Sequence, residues 1–169
     1  VDPAFLRVFE FPLQNGDVST ALQGAKSLVL TRACAEKIFG KADALGREIT
    51  IKGFGDFTIT GILKEFPSKT HFEFEMLASS DGLPGWEKAR AIPSVTNLWT
   101  NYYSSYTYFK LKEGRTVDEV QNALVEISEK YYANVKPETR DKGYEFYLQS
   151  INDITPGPQL SNQMGNALP

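Results

Sequence analysis

A chain of 169 residues with 41% hydrophobic and 12% aromatic residues can bury one ordinary core or two small ones, which excludes a chain disordered throughout. Its 18 basic and 21 acidic residues give a net charge of -3 without any block of like charge, which argues against a nucleic-acid surface or a polybasic hold on an anionic bilayer. A single cysteine, Cys34, rules out an intrachain disulfide, and no run reaches the roughly 18–20 apolar residues of a membrane span.

Asp2-Pro3 reads as a helix start, with Phe5, Val8 and Phe9 on one face and Pro12 as the stop. Asn15-Gly16-Asp17 marks a turn. Lys26 to Leu30 reads as a buried strand. Thr31 then caps a helix whose apolar face is Cys34, Ala35, Ile38 and Phe39, with Gly40 ending it. Glu48 to Lys52 alternates at period two, Gly53 to Asp56 is a hairpin signal, and Phe57 to Ile62 is the partner strand. After the break at Pro67-Ser68, Phe72 to Met76 alternates again, with Phe72, Phe74 and Met76 inward and Glu73 and Glu75 outward. Residues 80–100, punctuated by Gly82, Pro84, Gly85 and Pro93, read as an irregular junction or mobile flap.

Ser105 to Leu111 reads as a strand closed by Glu113-Gly114. Thr116 and Glu119 form a capping box, and Val117, Val120, Leu124, Ile127 and Tyr131 follow at helical spacing. Tyr144 to Leu148 reads as the closing strand, and the stretch from Pro156 as a loose tail. The order α, β-α-β-β-β, loop, β-α-β predicts an α+β fold in two lobes.

Chemistry is sparse. His71 is the only histidine, sits just before an alternating strand and belongs to no nucleophile elbow. Glu73 and Glu75 share one side of a strand, which suits a solvated face better than an acid–base pair. A hydrolase built on His71, Glu73 and Glu75 is the weakest of three readings. One histidine and one cysteine far apart do not make a zinc site, and Asp43, Asp56 and Asp81 are isolated turn residues. Cys34 reads as a buried, inert thiol. Gly53 and Gly55 open a hairpin rather than a helix, and no Walker motif exists, so the chain does not hydrolyse ATP by itself. The expectation is a non-enzyme with no cofactor and no metal. The aromatic group Trp99, Tyr102, Tyr103, Tyr106, Tyr108 and Phe109 divides between core and contact surface, with Trp99, Tyr102 and Tyr103 the candidates for a partner or substrate surface.

An ordered set of segments carries a resemblance. Val1 to Phe9 with Phe11-Pro12-Leu13 fits the pattern VDPxFxxVFxFPL, and Gly16-Asp17 with Ala21-Leu22 fits the next step. Leu28 to Thr31, Ala35 to Gly40 and Leu45-Gly46 fit a strand–helix–LFGxxxxxGxxI stretch. Phe57 to Lys64, Pro67 and His71-Phe72 complete the set. Together these resemble the MacB-like periplasmic core domain of ABC-transporter permeases of the MacB/FtsX type, in versions common among Bacteroidetes-type bacteria. Asp153-Ile154 is followed by Thr155, where related domains often carry histidine.

The resemblance implies an extracytoplasmic domain of an inner-membrane permease, facing the periplasm. It implies a porter-like lobe from residues 1–25 and 100–155, a second, sabre-like lobe from 26–80, a junction at 81–99 and a tail at 156–169. It further implies a cytoplasmic ATPase, a permease homodimer or paralogue, and a periplasmic adaptor or substrate protein as partners. ATPase-driven motion would then be coupled to export, extraction or signalling. Since the chain begins at Val1 with no signal peptide, the reading expects a fragment whose membrane anchor lies outside it. The alternative is a periplasmic ligand- or lipid-binding module with the aromatic loop lining its pocket.

Overall fold

Phe57 and Ile59 alternate inward along Gly55–Leu63, and in the computed structural model this becomes the central nine-residue strand. The structure describes residues 1–40, 43–64, 72–96, 98–101, 105–136 and 143–153. They fall into two units, Val1–Asn97 and Leu98–Pro169. Helices and a mixed sheet make the fold α+β, as expected.

The first unit runs α1 (Phe5–Val8), β1 (Leu13–Gly16), β2 (Ser27–Leu30), α2 (Arg32–Phe39), β3 (Glu48–Ile51), β4 (Gly55–Leu63), β5 (Met76–Ala78), a 3-10 turn (Ser80–Gly82) and α3 (Leu83–Lys88). Sheet order is β1-β4-β2-β5, with β3 also on β4. β2 pairs with β4 parallel, while β1 and β3 pair with it antiparallel. All four residues of β2 are buried, as suits an inner strand. Residues 1–25 and 26–80, expected in different lobes, share this sheet through the β1–β4 pairing.

Glycine at position 61 lets the strands close. A Cβ there would stand 3.1 Å from Leu13 Cδ1, 3.2 Å from Val29 Cγ2 and 3.3 Å from the Ala21 methyl. Above the sheet, Leu28, Leu30, Cys34, Ala35, Phe57, Ile59 and Ile62 form the main cluster. Rings of Phe5, Phe9, Phe11, Phe72 and Phe74 form a second one, with neighbouring centroids 4.5–6.3 Å apart.

Local capping follows the sequence at α2. The Thr31 hydroxyl accepts from Cys34 N–H at 3.2 Å and Gly40 ends the helix at φ +68°. Ile38, expected inward, is 44% exposed, because Cys34 and Ala35, with Phe39 partly covered beside them, are the residues that turn onto the core. Met76 is likewise exposed at 39%. Phe72 and Phe74 precede β5 rather than lying in it, and Leu77, opposite Val29, takes the inward position instead. At the first helix, Asp2 holds the Ala4 and Phe5 N–H groups, and the helix proper begins at Phe5.

The expected irregular stretch 80–100 is partly helical. After α3 the chain closes a double-bonded cap: Arg90 N–H donates to Glu87 C=O at 2.9 Å and Ala91 N–H to Trp86 C=O at 2.8 Å. Arg90 occupies the left-handed position, φ +57°, that glycine usually fills.

In the second unit, α4 (Val117–Tyr132) opens with the expected capping box: Thr116 Oγ1 accepts from Glu119 N–H and the Glu119 carboxylate accepts from Thr116 N–H. The packed face is turned from the apolar stripe, since Val117, Ile127 and Tyr131 are exposed while Gln121, Leu124, Ser128 and Tyr132 are covered. Residues 105–111 and 144–148, expected as strands, fall outside the helices and strands of the described residues. Residues 143–148 still alternate in burial, and Phe146 and Leu148 bond to the Gln121 amide rather than to a neighbouring strand.

Candidate contact surface around Trp99

Tyr132, near the end of α4, anchors the candidate surface. Its ring is 9% exposed, stacks on Tyr144 at 4.5 Å and tilts against Phe146 at 5.7 Å. Its hydroxyl donates to the Trp99 carbonyl, so a buried tyrosine fixes the backbone of the loop that carries the indole. Burial first, and the neighbouring Tyr144 second, push the Tyr132 phenol above its ordinary range, so it stays protonated and donating.

Trp99 then lies flat on Tyr131, centroids 3.9 Å apart and planes 14° from parallel. The indole is edge-on to Tyr132 at 6.1 Å and 89°. Lys130 Nζ sits 5.1 Å from the centre of the Tyr131 ring. Trp99 and Tyr131 remain 42% and 40% exposed. An ammonium, a phenol ring and an indole thus present one layered face that gives flat apolar area with a polar rim, the chemistry of contact rather than of bond-making.

Of the three candidates for this surface, Trp99 is placed here, and Tyr102 and Tyr103 lie outside the described residues. Tyr106 and Phe109 are exposed, at 45% and 54%, and Tyr108 is half-buried. Tyr131 and Lys130 were missing from the expected surface. Their signal was a tyrosine at the end of an amphipathic stripe, and which way it turned depended on Tyr132 taking the buried side.

The other candidate groups do not gather. His71 lies outside the described residues. Glu73 and Glu75 are exposed, and Glu75 lies 3.9 Å from Lys37 across solvent-facing side chains. Cys34 is 2% exposed, and burial, followed by the Glu75 charge, raises its thiol above the ordinary value despite Lys37. Gly53 and Gly55 turn the β3–β4 hairpin at φ +87° and +86°. Among the described residues no three His, Cys, Asp or Glu side chains group to hold a metal, and no helix is long and apolar enough to cross a membrane.

The family model for the MacB-like periplasmic core domain matches residues 1–127. The chain belongs to that family. A solved domain of a protein described as a permease, from Porphyromonas gingivalis, is similar at a TM-score of 0.50 with 18% identity, over 92% of this chain and 67% of that one. The periplasmic region of MacB from Actinobacillus actinomycetemcomitans has a TM-score of 0.48 and 12% identity, over 76% of this chain and 53% of that one. The chain therefore spans about two thirds of the first and about half of the second. No curated protein sequence matches it. The first likeness shows a shared fold. The family match covers the whole sheet of this MacB-like domain and α4 as far as Ile127.

Proposed function

We propose that this domain is the non-catalytic, periplasm-facing part of an ABC-transporter permease, and that it carries motion rather than chemistry. A cytoplasmic ATPase drives the membrane part of a permease dimer, and the domain passes that motion to an adaptor or substrate protein for export, extraction or signalling. The unit from Leu98 onward serves as the porter-like lobe. The observation that supports this most is the family match over residues 1–127, joined to a first unit in which β1, β2 and β3 all hang on β4 and β5 on β2. Such a body transmits displacement because packed cores deform little.

The contact face in this reading is Trp99 on Tyr131. A ligand- or lipid-binding module fits less well, because one face of the indole is taken up by the Tyr131 ring.

The test uses the intact gene product, expressed with its neighbouring ATPase. Fractionation places it in the inner membrane, and protease reaches this domain only from the periplasmic side. Trp99→Ala lowers adaptor or substrate cross-linking while leaving ATP turnover in place. A gene product recovered entirely in the soluble fraction refutes the permease reading. Full cross-linking by Trp99→Ala refutes only the assignment of the surface.

A further inference from the structure

Residues 89–96 follow α3 and lead to the boundary between the two units. None of them is buried. Their return to α3 depends on one side chain. Glu87 Oε1 accepts from Val95 N–H at 2.6 Å and Thr96 N–H at 2.8 Å, and Oε2 accepts from the Thr96 hydroxyl at 2.6 Å. A carboxylate holding two successive amides and a hydroxyl is a strong, directional grip. The loop it closes carries Arg90 at φ +57°, a conformation that L-residues with a Cβ disfavour.

We propose that Glu87 is a clasp that stows residues 89–96 as a releasable loop, and that opening it frees the chain between α3 and Thr96 to extend. Closed, the clasp pins Val95 within one side-chain length of the Glu87 backbone. Open, the eight steps from Glu87 to Val95 can extend to roughly 27 Å. Release is local because no side chain of the loop is buried in a core, so little apolar contact opposes it. The same three donors, the Thr96 hydroxyl foremost, hold the Glu87 carboxyl below its ordinary range, so it is anionic while the loop is stowed. This geometry is independent of any transport role.

The test compares the full chain with Glu87→Ala and Thr96→Val by hydrogen exchange and by trypsin cleavage after Arg90. Glu87→Ala speeds exchange at Val95 and Thr96 by about tenfold or more and hastens cleavage, while the amides of β2 and β4 are unchanged. Thr96→Val, which keeps both amide bonds, has a smaller effect. Unchanged exchange and cleavage overturn the clasp. An equal rise across β4 also overturns it, because the loop would then belong to the fold of the first unit.

Discussion

Gln121 does in the second unit what a neighbouring strand would do in a sheet. Its side-chain amide donates to the Phe146 carbonyl at 2.7 Å and its oxygen accepts from Leu148 N–H at 2.9 Å. Gln121→Ala removes both bonds at once. At a net 0.5–1.5 kcal/mol each, the loss is about 2 kcal/mol, which corresponds to roughly a 30-fold rise in exchange at the Leu148 amide if the segment opens locally. Gln121→Glu is the sharper probe. A carboxylate still accepts from Leu148 but has no proton for Phe146 and faces its carbonyl oxygen. Its folded pKa is therefore raised, so the stabilising form is the protonated one, present in acid and lost as pH rises through the folded value. Exchange at Leu148 measured between acid and neutral pH should thus show Gln121→Glu nearer the parent protein in acid and nearer Gln121→Ala at neutral pH. Equal protection of Leu148 in the parent protein and Gln121→Ala would refute the reasoning.

Thr116→Ala removes the hydroxyl half of the capping box and should destabilise α4 by about 1 kcal/mol in urea titrations that follow helix signal. Arg90→Gly should stabilise the first unit by about 1 kcal/mol, because glycine occupies φ +57° without a Cβ penalty; a thermal shift downward would contradict this. Phe57→Ala, at a side chain 2% exposed among Leu28, Ile59 and Trp86, should cost about 3–5 kcal/mol by chemical denaturation. Cys34 should react with a thiol reagent only at the rate of unfolding, given its burial and raised pKa, and fast labelling of the native chain would count against the assigned packing of α2.

Elements set by their own residues were readable in advance. β2 and β4 announced themselves by dense apolar or alternating runs, α2 by Thr31 and Gly40, and α4 by its capping box. Features decided by distant partners were not. Asn15-Gly16-Asp17 read as a turn, yet Asn15 and Gly16 belong to β1 because β4 gives them a partner. Met76 lost the inward position because register against β2 put Leu77 opposite Val29. Tyr144 to Leu148 has strand alternation but gains ladder bonds only beside another strand, and here Gln121 satisfies part of it. The ring stack at Trp99 was half legible. Trp99 stood out as a large ring in a loop, whereas its partner Tyr131 was credited to the helix interior, because one stripe of α4 cannot reveal which neighbour the fold will supply.

Three strands, β1, β2 and β3, all earlier in the sequence, hang on β4, and the last residue of that strand is Leu63. β1 and β2, already made by a ribosome, have no sheet to join until that point of the chain has emerged. A chain passed through a membrane in sequence would hold its first sixty or so residues without tertiary partners, then close the sheet within a short further length. Truncations ending before Gly55 should stay open and prone to capture by chaperones, while those carried past Ala78 should resist protease.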